Sequence, residues 1–306
     1  MKKAVSISIG SSNRDKSIEI DLLGERVLLE RIGTDGDIEK AAYMYQDLDG
    51  KVDAFGVGGA VLGLLLDDHW YPMHSIKSMV RYVKKTPLVD GTGLKETLER
   101  KSAKAAMTQI DVNYQPKTAL IMCGLDRYGQ ARSFMDMGFD CIMGDLKFAV
   151  GVPISIRSDR SLKIWGKTLI PPMSRIPFRM LYPTGEAQES RDPKFGKDFD
   201  WATVIAGDCH YITRYMPERL DGKIIVTNTT TSSDVEIFQK AGAKCLITTT
   251  PVFDGRSFGT NMLEAGLIAA QGRKELVDYS EAEKYFAEMD SMVRSLDLQP
   301  IIQELN

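Results

Sequence analysis

The stretch Thr118–Leu146 limits the fold of this chain more than any other. Its residues predict an apolar strand over Ala119–Cys123, a glycine-bearing turn, an amphipathic helix over Gln130–Met137 and a second strand over Asp140–Gly144. This order of elements is that of a βαβ unit in a parallel sheet. We therefore expect an α/β protein with a ligand site where the first strand meets the helix.

The turn before that helix has most features of a dinucleotide-binding fingerprint. Gly124 and Gly129 supply two of its glycines, and Asp145 follows Gly124 by about 20 positions, where a carboxylate can accept hydrogen bonds from a ribose. A carboxylate there favours NAD over NADP because it would repel a 2′-phosphate. Asp126 replaces the middle glycine and adds a negative charge, which the neighbouring Arg127 is able to offset.

Two alternatives for this turn stay open. In the first, the segment is an ordinary crossover without a nucleotide, and the glycines only relieve a tight turn. In the second, the segment GLDRYG resembles in part the Asp-x-x-Gly turn of cobalamin-binding domains. Those domains place a histidine ligand within the turn, where this chain has Arg127 and Tyr128.

The composition excludes several classes of protein. A formal net charge of -3 and a pI near 5.8 argue against a nucleic-acid or membrane-surface protein, and no apolar run reaches transmembrane length. The four cysteines lack the close spacing of a metal site, and no zinc, Walker or Ser-His-Asp pattern is present. The sequence therefore predicts a reduced cytoplasmic protein that binds a small-molecule substrate, with no metal, nucleic-acid or membrane partner.

Periodicity and breaks divide the chain into three parts. Residues 1–115 predict a mixed α/β domain, residues 116–272 a Rossmann-like domain with a parallel sheet, and residues 273–306 a helix that packs back. Within the second part, residues 151–197 form a Pro-rich insertion with nine lysines and arginines against four acidic residues. The insertion is either a crossover or dimer arm, or an anion-binding lid. The last helix carries an apolar stripe, and we expect a homo-oligomer.

Polar residues follow the predicted strands of the second domain. They are Thr227, Asn228 and Thr229 after one strand, Thr250 after the next, and His210 after an earlier one. Ligands bind at the carboxyl edge of an open parallel sheet, so these residues are candidates for cofactor and substrate binding. Threonine and asparagine also favour turns and helix caps for local reasons, which is the alternative interpretation.

Three segments together resemble the quinate/shikimate dehydrogenase superfamily. They are DGTGLKETL (Asp90–Leu98), the βαβ unit after it, and GRSFGTNMLEAGLIAAQG (Gly255–Gly272). The resemblance implies a two-domain enzyme that moves a hydride to a nicotinamide while an aspartate and a lysine handle a hydroxyl proton. Asp90 matches that aspartate. The family's Asn-x-Thr-x-Pro-x-Lys motif is absent, so the lysine is chosen among Lys77, Lys84, Lys85 and Lys95, and we take Lys95 as the candidate.

Further residues complete the predicted site. His210 is the candidate base if no lysine serves, and Thr92 is a candidate for substrate binding. Arg256 and Asn261 lie between the last strand and the following helix, where an arginine can grip a carboxylate in bidentate fashion or form a salt bridge between domains. The sequence thus predicts an NAD-dependent oxidoreductase for a small hydroxy-carboxylic acid. The alternative is a protein that binds a small anion or nucleotide without dehydrogenase activity and reuses the same architecture.

Overall fold

The computed structural model describes residues 1–111, 113, 115–176, 191–253 and 256–305, and the side chains of residues 252, 253, 256 and 257 also lie outside the description. The chain forms two compact units. Unit 1 contains Met1–Leu94, Thr168–Gln188 and Phe258–Leu298, and unit 2 contains Lys95–Lys167, Glu189–Ser257 and Gln299–Asn306. No helix among the described residues is both long enough and apolar enough to cross a bilayer.

The described strands are, in chain order, β1 (Lys2–Ser8), β2 (Lys16–Leu22), β3 (Glu25–Gly33), β4 (Ala54–Gly58), β5 (Gly63–Leu66), β6 (His69–Pro72), β7 (Leu88–Val89), β8 (Thr118–Ile121), β9 (Asp140–Met143), β10 (Val204–Ala206), β11 (Ile224–Thr227), β12 (Cys245–Thr248), β13 (Val252–Phe253), β14 (Arg256–Ser257) and β15 (Ile301–Glu304).

The described α-helices are α1 (Ile38–Leu48), α2 (Lys77–Val80), α3 (Thr92–Glu96), α4 (Ser102–Met107), α5 (Tyr128–Asp136), α6 (Asp159–Met173), α7 (Gly196–Trp201), α8 (Cys209–Tyr215), α9 (Ser232–Lys240), α10 (Thr260–Gln271) and α11 (Ala282–Ser295). Short 3₁₀ turns cover Ser12–Arg14, His74–Ile76, Glu99–Lys101 and Tyr279–Glu281, and a π-helical turn covers Asp145–Ala149.

Unit 1 is built on a five-stranded sheet in the order β2-β3-β1-β4-β7, in which only β2 runs antiparallel to its neighbour. Alternate side chains of β1 point to opposite faces. Val5 and Ile7 join Tyr45 of α1 in one buried core cluster. Ser6 lies on the other face, where Asn261 of α10 donates to its hydroxyl at 2.6 Å. The two helices therefore cover opposite faces of the sheet.

Unit 2 is built on a six-stranded sheet in the order β15-β12-β11-β10-β8-β9. Its strands are parallel except β15, which pairs with β12 in the antiparallel direction. Ile205 in β10 pairs with Leu120 on one side and Ile225 on the other, and all three are buried. The predicted α/β class with a Rossmann-like parallel sheet is confirmed.

Several elements differ from the prediction. The basic segment contains α6, whose last turn carries Pro171 and Pro172, while residues 177–190 of that segment lie outside the described residues. The pattern of Leu94–Met107 predicts one long helix, but the structure has α3, a 3₁₀ turn and α4 over this segment. The helix α10, which the sequence places in the second domain, belongs to unit 1 because its buried side packs against β1, β3 and β4.

Candidate functional site

The glycine turn after β8 is held by a side chain of its own unit. Gly124 N donates to Asp145 Oδ2 at 2.9 Å, and Leu125 N donates to Asp145 Oδ1 at 2.8 Å. Burial raises the pKa of Asp145 to about 6, although the two amide hydrogen bonds act to lower it. Both oxygens of the carboxylate that the sequence assigns to a ribose therefore face the backbone of the turn.

The carboxylate of Glu96, the last residue of α3, contacts the first turn of α5. Gly129 N donates to Glu96 Oε1 at 3.0 Å. A methyl group at position 129 would lie only 2.5 Å from Glu96 Oε2, so a larger residue here would have to displace the Glu96 carboxylate. Burial raises the pKa of Glu96. The helix N-terminus that the sequence assigns to a pyrophosphate is thus already bonded to Glu96.

Asp126 and Arg127, between these two points, form ion pairs. Lys95 Nζ donates to Asp126 Oδ1 at 2.8 Å. Arg127 is buried and bonded to the buried Glu99, and its Nη2 lies 3.4 Å from Asp208 Oδ2. Burial acts to raise the pKa of Asp126, but the charges of Lys95 and Arg127 lower it overall. Arg127 therefore offsets the charge of Asp126 from within the fold.

The polar residues after β10, β11 and β12 meet at the carboxyl edge of the sheet. Asp208 caps α8 by accepting from His210 N at 3.0 Å, and it also accepts from Asn228 Nδ2 at 3.2 Å. Thr250 Oγ1 donates to the carbonyl oxygen of Asn228 at 2.5 Å, and Thr227 Oγ1 donates to Asn228 Oδ1 at 3.2 Å. Thr229, which follows Asn228 in the chain, is half-buried.

His210 does not follow the strand directly, since it lies in the first turn of the short helix α8, which the sequence analysis missed. Its side chain is exposed.

We call six of these residues the carboxyl-edge cluster: Lys95, Glu99, Asp126, Arg127, Asp208 and Asn228. Its cations are mostly buried, with side-chain exposures of 10% for Lys95 and 4% for Arg127. The carboxylates of Asp126 and Asp208 are 34% and 35% exposed. The accessible rim of the cluster therefore offers mainly hydrogen-bond acceptors.

Asp90 belongs to a buried polar group in unit 1. It accepts from Leu62 N at 2.6 Å, from Thr92 N at 3.0 Å and from Tyr279 Oη at 3.4 Å. Glu264 of α10 is also fully buried, and it accepts from Leu94 N at 3.1 Å. Burial and the nearby charge of Asp90 raise the pKa of Glu264 to about 8. Asp90 and Thr92 thus help to fix the fold of unit 1.

Three residues of the predicted site remain, Asn261, Arg256 and Lys95. Asn261 is bonded to Ser6 on the face of the sheet beneath α10. The backbone of Arg256 lies in β14, but its side chain falls outside the described part of the chain. Lys95, the predicted partner of Asp90, donates to Asp126. Among the described residues, no three His, Cys, Asp or Glu side chains are grouped as a metal ion would need.

Three carboxylates, Glu96, Glu99 and Glu264, were not predicted from the sequence. Each lies in a segment whose local pattern predicts only a helix, and each bonds to groups far along the chain. The one local signal is the pair of glutamates three positions apart in LKETLERK, which share one side of a helix.

Comparison with family models identifies the chain. A model described as "Domain of unknown function (DUF8754)" matches residues 93–305, which is more than half of the chain. The chain belongs to this family. A second model, "Domain of unknown function (DUF8753)", matches residues 3–90 of this DUF8754 family member. No curated protein matches it.

Solved structures show a distant likeness. An NAD-dependent malic enzyme from Thermotoga maritima is 12% identical, with 96% of this chain and 84% of that chain covered and a TM-score of 0.38. A protein from Mycobacterium smegmatis in complex with β-D-fucofuranose is 10% identical, with 97% and 98% covered and a TM-score of 0.38. A galactofuranose binding protein is 12% identical, with 94% and 99% covered and a TM-score of 0.36. Such values support no inference about function, and the resemblance to quinate/shikimate dehydrogenases stays a prediction.

Proposed function

We propose that unit 2 binds a small, polyhydroxylated molecule at the carboxyl-edge cluster. The observation that carries this proposal is the pairing of two partly exposed carboxylates, Asp126 and Asp208, with the buried Arg127. The Asn228 amide donates to Asp208. Carboxylate oxygens have lone pairs for more than one donor, and the hydroxyls of a polyol supply such donors. The carboxyl edge of a parallel sheet is also the usual position of a ligand.

The charge of the cluster favours a polyol over an anion. Two cations, Lys95 and Arg127, face three carboxylates, Glu99, Asp126 and Asp208. The excess is negative, and the most accessible groups are the negative ones, so the local potential disfavours a phosphate or a carboxylate ligand. This is why the small-anion alternative is not preferred here.

NAD-dependent oxidation of a small hydroxy-carboxylic acid is the second candidate. The order of strands and the βαβ unit from β8 to β9 favour it, since this arrangement positions dinucleotides in many enzymes. In that case Lys95 and Asp126 would be the pair that handles the hydroxyl proton. A dinucleotide at the turn would require Glu96 to leave Gly129 N and Asp145 to leave the turn. NAD binding would therefore break these hydrogen bonds, whereas polyol binding keeps them.

Native mass spectrometry of freshly purified protein, followed by calorimetric titration with D-ribose, D-glucose, quinate and NAD, separates the candidates. We expect a neutral polyol to bind the wild type, and Asp208→Asn to weaken binding about tenfold or more, because one charged acceptor is lost. Asp140→Asn is the matched control, because Asp140 is exposed and lies at the first residue of β9, at the opposite edge of the sheet. Binding of NAD with no binding of either neutral polyol would reject the proposal in favour of the second candidate.

A further inference from the structure

Two guanidinium groups converge on one glycine at the carboxyl end of β1 in unit 1. A methyl group at Gly10 would lie 2.7 Å from Arg14 Nη2, 3.2 Å from Arg31 Nη2 and 3.4 Å from Ser8 Oγ. The two nitrogens are therefore within about 6 Å of each other, a separation that one oxyanion can bridge with two charge-assisted hydrogen bonds. A side chain at position 10 would enter the space between the two guanidinium groups.

The nearby carboxylates are engaged with the backbone. Asp15 Oδ1 accepts from Gly33 N at 2.6 Å and from Arg31 Nη1 at 2.8 Å. Asp35 Oδ1 accepts from Ser12 N at 2.7 Å. These bonds fix the two loops that follow β1 and β3, and they hold the Arg31 guanidinium through its Nη1 while its Nη2 lies beside Gly10.

The electrostatics of Arg31 agree with this geometry. Its side chain is only 14% exposed. Burial and the neighbouring charge of Arg14 lower the pKa of Arg31, although the carboxylates of Asp15 and Asp35 act to raise it. Two like charges at this separation repel, and a bound anion would turn that repulsion into attraction.

We propose that Arg14 and Arg31, with the loop Gly10–Ser12, form an oxyanion site for a phosphate or carboxylate group. Arginine is suited to this task because its planar guanidinium presents several donors in a fixed geometry. The position at the carboxyl end of a parallel strand is one where ligands of α/β proteins bind. This site lies wholly in unit 1 and does not depend on the function proposed for unit 2.

Calorimetric titration of the full chain with inorganic phosphate, and separately with succinate, tests the site at constant ionic strength. We expect saturable binding by the wild type and a loss of about tenfold or more in affinity for Arg14→Gln. Arg31→Lys should bind with intermediate affinity, because lysine keeps the charge but offers a single donor group. Arg26→Gln is the matched control, since Arg26 lies at the start of β3, pairs with Glu19 and is 68% exposed.

Tighter binding of phosphate would point to a phosphorylated ligand, and tighter binding of succinate to a carboxylic acid. The proposal would be overturned by the absence of saturable binding of both anions, or by equal affinities of Arg14→Gln, Arg26→Gln and the wild type. Circular dichroism and the urea midpoint of each variant establish that it is folded, so that lost binding reports on the site.

Discussion

The carboxylate of Glu96 accepts a hydrogen bond from Gly129 N at the first turn of α5, at 3.0 Å. Together with Asp145, which accepts from Gly124 N and Leu125 N, it binds three backbone donors of the glycine turn. In a dinucleotide-binding protein these donors face the pyrophosphate. In this protein the same donors bond to the carboxylates of Glu96 and Asp145, and so connect separate segments of unit 2.

Removing the Glu96 carboxylate should destabilise the fold. Glu96→Ala leaves Gly129 N without its acceptor and should lower the free energy of unfolding by about 1–3 kcal/mol, whereas Glu96→Gln keeps an acceptor and should cost less than about 1 kcal/mol. Urea unfolding measures both values. Equal losses in the two variants would mean that the negative charge, and not the hydrogen bond, is what the fold needs.

The pair formed by Arg127 and Glu99 should behave as a buried ion pair. Arg127→Met or Glu99→Met alone should cost about 3–5 kcal/mol because each breaks a buried ion pair, and the double variant should cost less than the sum of the two. A double-mutant cycle in urea measures this coupling. The exposed pair Arg219 and Asp221 serves as the control and should show no measurable coupling. Additive effects at Arg127 and Glu99 would contradict the expectation.

Ionisation of Glu264 should make unit 1 less stable as the pH rises. The ordinary pKa of a glutamate is 4.5, and in the fold it is raised to about 8, so between these values the folded state binds a proton that the unfolded state has lost. The free energy of unfolding should therefore fall with rising pH in this window, by up to about 1.4 kcal/mol per pH unit, and level off above it.

Urea midpoints measured from about pH 7 to above pH 8 test this dependence on Glu264, because the carboxyl of Asp145, with a pKa of about 6, is already ionised over that range. Glu264→Gln should flatten the slope, and Glu283→Gln, at an exposed position of α11, should leave it unchanged. A slope that persists in Glu264→Gln would assign the effect to another group.

The strands and most helices follow from local pattern. The apolar runs of β1, β8 and β11 and the period of α1 are properties of neighbouring residues, so the sequence predicts them and the sheet class with them. The helix α6 was not predicted because its two prolines suggest a break, yet they lie in its last turn. The prolines remove donors there without preventing the preceding turns.

The role of the glycine turn in ligand binding stays a prediction, and its internal hydrogen bonds were not predicted. The spacing of Asp145 from Gly124 is that of a ribose-binding carboxylate, but a carboxylate at that spacing can accept backbone N–H groups equally well. The decisive partners, Glu96 for Gly129 and Glu99 for Arg127, are 33 and 28 positions away in sequence. Nothing local specifies such pairings, because they depend on how the segment after β7 packs against α5.

Calorimetric titration of NAD into the wild type, with Glu96→Ala alongside, tests most directly whether the glycine turn is closed to a dinucleotide. Because Glu96 and Asp145 already hold the donors of the turn, we expect no saturable binding by the wild type up to about 1 mM NAD, the upper end of the usual range for enzyme substrates. Saturable binding of NAD to the wild type that Asp145→Asn weakens would contradict this account, because it would show that these carboxylates give way to the cofactor.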